Sequence, residues 1–122
     1  MKTILVVEDE FAIADMLSSL LEDEGYRVVF ASNGREGLAR LADPAIHVNL
    51  VLCDVMMPIL DGREMRKAMQ ADPVFKDIPI VLMSAAQEST TSTNGISGPF
   101  LGKPFNVDDL LKIVEDQIGK PD

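Results

Sequence analysis

Three carboxylates, a hydroxyl and an ammonium each stand just after a short apolar run in this chain. Glu8-Asp9 follow Thr3 to Val7, Asp54 follows Val48 to Cys53, Ser84 follows Ile78 to Met83, and Lys103-Pro104 follow Phe100 to Gly102. Carboxylates crowded together raise one another's pKa unless a cation sits among them. Hard oxygen donors with open positions suit Mg²⁺, which prefers octahedral geometry and keeps several waters. A metal alone leaves Ser84 and Lys103 without a role. A phosphoryl group on the Asp54 carboxylate gives every member one, since metal and ammonium neutralise its oxygens while the hydroxyl donates to one of them. Carboxylate nucleophiles that form aspartyl phosphates are an established chemistry.

These residues meet only if the apolar runs are neighbouring strands. Thr3 to Val7 is β-branched and aliphatic throughout, the pattern of a strand buried on both faces. From Phe11 to Glu24, Ile13, Met16, Leu17, Leu20 and Leu21 recur at helical spacing, with Gly25 as the stop. Tyr26 to Ala31 reads as a second strand, Ser32-Asn33-Gly34 as a turn into a helix that carries Leu38 and Leu41 and ends before Pro44. Val48 to Cys53 is a third strand, Arg63 to Gln70 a helix, Ile78 to Met83 a fourth strand and Phe100 to Gly102 a short fifth. Val107 to Ile118 closes the chain as a helix with Asn106 as N-cap. Such alternation predicts a parallel sheet with helices on both faces, because each right-handed crossover lays its helix over the sheet. Ligands of open parallel sheets bind at the carboxyl ends of the strands, where the five polar groups fall.

One slot breaks the alternation. Gln87 to Gly98 has Ile96 as its only large apolar residue and is otherwise rich in Ser, Thr, Asn and Gly. Those side chains compete for backbone hydrogen bonds and leave no apolar face to dock, so the helix here is expected to be frayed, displaced or missing.

The 122 residues leave room for one domain, taken as 1–122. Eleven Lys and Arg against 20 Asp and Glu give a net charge of −9, which repels polyanions and disfavours direct nucleic-acid binding. A single cysteine, Cys53, excludes an internal disulfide and reads as core, and the only histidine, His47, reads as a surface loop residue. The run Ile4 to Val7 is too short for an export signal or a membrane span, so the cytoplasm is the expected location. Met16, Met65 and Met69 fall at helical positions and are expected to pack.

The segments ILVVEDE, LVLCDVMMPILDG, IPIVLMSA and LGKPF, in this order and spacing, resemble the receiver domain of bacterial two-component response regulators over the whole chain. The resemblance implies a flavodoxin-like, doubly wound five-stranded parallel sheet of order 2-1-3-4-5. It makes Asp54 the phosphoacceptor, Asp9 a direct Mg²⁺ ligand, Glu8 a partner acting through metal-bound water, and Met56 a ligand through its backbone carbonyl. Ser84 and Lys103 would contact the phosphoryl group, Phe100 would be the switch aromatic that follows Ser84, and the bond before Pro104 would be cis. The donor would be a histidine kinase or a histidine phosphotransfer protein, the output a downstream protein contact, and the domain a monomer or weak dimer. The resemblance implies a phosphoacceptor switch rather than an enzyme. It leaves open a stand-alone receiver or a piece of a longer regulator or hybrid kinase. The residues alone leave two other classes, an aspartyl-nucleophile phosphohydrolase and a constitutive scaffold. The former commonly needs an acid two residues beyond the nucleophile, where this chain has Met56.

Overall fold

Thr3–Val7, buried at every position, forms the inner strand β1. A computed structural model describes residues 1–85 and 99–121; the expectation for Gln87 to Gly98 lies outside the described residues. After β1 come α1 (Phe11–Glu24), β2 (Arg27–Ala31), α2 (Gly34–Ala42), β3 (Leu50–Asp54), α3 (Gly62–Gln70), β4 (Ile80–Ala85), β5 (Phe100–Lys103) and α4 (Val107–Ile118). The five strands run parallel in the order β2-β1-β3-β4-β5.

Alternate residues of each inner strand enter two separate cores, as the two-residue period of a strand requires. Ile4, Val6, Leu50, Leu52, Val81 and Met83 face α1 and α4, where Leu17, Leu21, Leu110 and Val114 cover them. Leu5, Val7, Val51, Cys53 and Leu82 face the other way, toward Leu41 of α2 and Met65 and Met69 of α3. Burial on both faces explains why these strands read as unbroken apolar runs.

Side chains fix where three helices start. Asn33 Oδ1 accepts from the Glu36 N–H at 2.9 Å, and Asn106 Oδ1 from the Asp109 N–H at 2.8 Å. Asp61 and Glu64 form a reciprocal capping box, each carboxylate accepting the other's backbone N–H at 2.9 and 3.0 Å. At the opposite pole the Lys2 ammonium donates to the carbonyls of Ile118 and Lys120, and the Tyr26 hydroxyl to that of Gly119 at 3.0 Å. Of these, the Ile118 carbonyl is one that the end of α4 leaves without a helical partner. Among the described residues no helix is long and apolar enough to cross a membrane.

The structure shifts several expected boundaries. β3 begins at Leu50 rather than Val48 and includes Asp54; β4 runs Ile80–Ala85 rather than Ile78 to Met83, so Ser84 lies inside it. The ladder explains both carboxyl-end extensions, because Asp54 pairs with Met83, the Val55 N–H still donates to the Met83 carbonyl at 2.9 Å, and Ala85 pairs with Lys103. Met65 and Met69 are buried as expected, but Met16 is 46% exposed. One residue is about 100° of helix, so with Leu17 aimed at the sheet its predecessor turns toward solvent. Leu17→Ala is therefore expected to cost about 2–5 kcal/mol in chemical denaturation, and Met16→Ala within about 0.5 kcal/mol of wild type. Equal losses for the two variants would contradict this packing.

Candidate functional site

Parallel register carries the polar residues to one edge. Val7 pairs with Cys53, so Glu8 and Asp54 leave β1 and β3 side by side. The Glu8 N–H continues the ladder by donating to the Ala31 carbonyl at 3.0 Å, which holds its side chain in the interior. Glu8 is fully buried, Asp54 is 7% exposed and Asp9 faces solvent. Carboxylate oxygens of all three lie within 4.8 Å of one another, a spacing at which one cation can serve all three. On β5, Lys103 pairs with Ala85 of β4 and extends its ammonium to 3.2 Å from both Glu8 Oε1 and Asp54 Oδ1. Ser84 is buried on the intervening strand, opposite Gly102. The structure thus brings together Glu8, Asp9, Asp54 and Lys103, with Ser84 on the strand between Asp54 and Lys103.

One ammonium does not balance three carboxylates. Burial pushes the Glu8 carboxyl up to about 7, with Asp54 adding to the rise, while the Glu10 N–H at 3.2 Å and Lys103 oppose it. Asp54 is raised by burial against the pull of Lys103, and Asp9 adds repulsion. For Lys103, burial favours the neutral amine, but the carboxylates of Asp54 and Glu8 outweigh it and leave its pKa raised. Burial is the main cause of both raised carboxyl pKa values, carboxylate repulsion adds to each, and a divalent cation on oxygen ligands would oppose that repulsion. The donor set of Glu8, Asp9 and Asp54 fits Mg²⁺.

The loop after Asp54 is tied down by backbone contacts. The Gly62 N–H donates to the Val55 carbonyl at 3.0 Å, and the Gly34 N–H to that of Leu60 at 3.0 Å. A Cβ at Gly62 would stand 2.5 Å from the Asp54 carbonyl oxygen, so α3 packs its first turn directly on the candidate acceptor's backbone. Met56 is 62% exposed on this loop. Phe100 is half-buried and packs on the core shared by α2 and α3, and the Lys103-Pro104 bond is cis. His47 lies on the surface; Cys53 is buried, and burial, followed by Asp54, pushes its thiol pKa up. Sequence reasoning missed the close approach of Gly62 to Asp54 and the positive φ of 72° at Ile59. The Asp-Gly pair after Pro58 was the only signal for the former, and nothing in the sequence signals the latter.

Comparison with known proteins gives one answer. The response regulator receiver domain family matches residues 4–115. A probable transcriptional regulatory protein of Picosynechococcus is 37% identical over 88% of this chain and 45% of its own length. Protein PilG of Pseudomonas aeruginosa is 29% identical over 94% of this chain and 86% of its own. The chain spans about half the length of the transcriptional regulators it matches, such as PhoB of Pseudomonas aeruginosa at 48%. Among solved structures, the chemotaxis response regulator CheY4 of Vibrio cholerae superposes with a TM-score of 0.83 at 30% identity, covering 97% of this chain and 99% of that one. The signal receiver domain of a histidine kinase from Syntrophus aciditrophicus gives 0.86 at 27% identity, covering 97% and 90%.

Two outcomes follow from the geometry. Folded Glu8 titrates near 7 against 4.5 for the free side chain, so the folded protein holds more protons between those values and loses stability as pH rises through them. In EDTA, wild type should lose on the order of 2 kcal/mol more than Glu8→Gln between about pH 5 and pH 8. Equal changes in urea denaturation would refute this. Gly62→Ala should cost about 1–3 kcal/mol in the same assay, because the new methyl displaces the Asp54 backbone; a neutral effect would contradict the close approach.

Proposed function

The chain belongs to the response regulator receiver domain family of two-component signalling, and on that premise we propose that residues 1–122 form one domain that accepts a phosphoryl group on Asp54. The observation that carries this reading is the placement of the nearly buried Asp54 carboxylate between the Lys103 ammonium at 3.2 Å and the acidic pair Glu8 and Asp9. The donor is a histidine kinase or a histidine phosphotransfer protein. One Asp54 oxygen attacks phosphorus, the phosphorus–nitrogen bond to the donor imidazole breaks, and the imidazole keeps the electron pair and takes a proton. The product is an acyl phosphate on Asp54.

The chain's own groups position and shield this centre. Lys103, already held at the Asp54 oxygen, is placed to make a charge-assisted contact to a phosphoryl oxygen. Glu8, Asp9, Asp54 and the Met56 carbonyl would hold Mg²⁺, which supplies charge neutralisation when bound. Ser84, one residue beyond the partner of Asp54 on β4, is the hydroxyl that contacts the phosphoryl group. Its shift frees Phe100, two positions before Gly102, the residue opposite Ser84, to change rotamer. A phosphoryl group that binds the closed arrangement more tightly than the open one shifts the population toward closure, and the altered surface changes affinity for a downstream protein. The domain acts as a cytoplasmic switch, without contacting nucleic acid or membrane itself, as a monomer or weak dimer.

Incubation with acetyl phosphate and Mg²⁺, followed by intact-protein mass measurement, tests the assignment. Wild type should gain one phosphoryl group and Asp54→Asn none, since the amide keeps the shape but removes the nucleophile. Labelling of Asp54→Asn at the wild-type level would overturn it.

A further inference from the structure

A groove of about 530 Å³ lies at the opposite pole from Asp54, walled by the connection from α2 into β3 and the connection from α3 into β4. Val48 and Ile78, which line it, stand two residues before the starts of β3 and β4. It therefore opens at the amino ends of the strands whose carboxyl ends carry Asp54 and Ser84. Its floor is apolar: Leu41 and Val48 are 8% and 5% exposed, and half-buried Ile46, Phe75 and Ile78 pack on the same core. Val74, also in the lining, is 75% exposed and leaves an apolar wall uncovered. The charges around it have one sign. Asp43 and Asp72 line it, and among the described residues no Lys or Arg does. α2 and α3 both end beside it, which adds the negative ends of two helix dipoles. Arg40, in the last turn of α2, is turned to the Phe30 carbonyl at 3.2 Å and to Glu36 at 3.8 Å. Lys67 of α3 lies outside the lining, and Lys76 lines a neighbouring cleft with Arg66.

From this we propose that the groove binds a small organic cation, an alkylammonium with an aromatic or branched aliphatic body. The body displaces water from Leu41, Val48 and Phe75, while the ammonium meets Asp43 and Asp72. The Phe75 ring also offers a face to the cation. Charge sets the sign of the ligand, because both charged side chains of the lining are acids and the net charge of −9 on the whole chain acts in the same direction. Size sets its class. The volume falls within the range of about 300–1,000 Å³ typical of small-molecule sites. The 11 lining residues fall short of the roughly 20–30 that each side of a stable protein interface presents. A bare metal ion does not fit, because among the described residues only Glu8, Asp9 and Asp54 bring three such donors within 4.8 Å, so Asp43, Asp72 and His47 do not converge. The groove stands apart from Asp54, and its ligand needs no phosphoryl chemistry.

Three probes of like size and different charge test this: phenethylammonium, phenethyl alcohol and phenylpropionate, each titrated into the protein while its backbone amides are followed by proton–nitrogen correlation spectra. Phenethylammonium should shift the amides of Ile46, His47, Val74 and Phe75 saturably with millimolar affinity, at least about fivefold tighter than either of the other two. In the double variant Asp43→Asn, Asp72→Asn that preference should shrink to within about twofold. The turns survive the exchange, because an amide oxygen can still accept the Ala45 and Val74 N–H groups that the aspartates accept at 2.9 and 2.7 Å. Equal affinity for the three probes, or no saturable shift of these amides by about 20 mM ammonium, would overturn the proposal. Shifts confined to the amides around Asp9 and Asp54 would also overturn it, as would a full preference for the cation in the double variant. Should that variant melt early, the comparison of the three probes on wild type decides alone.

Discussion

Among the described residues a single ammonium faces three carboxylates at the edge of a sheet whose inner strands are fixed by burial on both faces. The charges cannot move apart, because separating Glu8 from Asp54 would pull β1 from β3 and expose two cores at once. Burial, with repulsion from Asp54 added, raises Glu8 to about 7, while Lys103 bridges two of the three acids. An oxygen-lined site with one ammonium beside three carboxylates has a donor set that suits a cation. Metal binding and acceptor chemistry, as proposed, share that one electrostatic cause.

The fold supplies rigidity where that cause needs it. Asp54 is set by its strand, by the Val55 hydrogen bond to Met83 and by the first turn of α3, whose Gly62 touches its carbonyl. The capping box of Asp61 and Glu64 fixes where that helix begins, eight residues after the candidate acceptor. Between these fixed points the loop carries exposed Met56 and Ile59.

Much of this was legible in the residues. Unbroken apolar runs gave β1 its limits, and Gly25 and Asn106 marked the end of α1 and the start of α4, because burial on two faces and helix capping leave local signatures. The acids and lysine stood out by their place after those runs. What was not legible depends on contacts between distant segments. Whether β4 stops at Met83 or continues to Ala85 is decided by its pairing with β3 and β5, and Val48 lies outside β3 although it is buried like a strand residue. Met16 fits a helical apolar period but falls beside the buried line of Ala14, Leu17 and Leu21. The contact between Lys103 and Glu8 joins residues 95 positions apart, and Ile59 adopts a backbone conformation opposite to its type's preference. The resemblance to receiver domains, carried by four short segments, pointed to a cis bond before Pro104 that local chemistry only permits.

The central claim is that the acidic cluster is short of positive charge and binds a cation for that reason. Calorimetric titration of the metal-free protein with Mg²⁺ near pH 7, in two buffers of different ionisation enthalpy, measures binding and proton release together. Saturable binding at millimolar metal is expected, with release of part of a proton as Glu8 gives up the proton that burial had favoured. Glu8→Gln should abolish the release, and Asp54→Asn should weaken the binding. Absence of Mg²⁺ binding, or binding that Asp54→Asn leaves unchanged and that releases no proton, would contradict the claim.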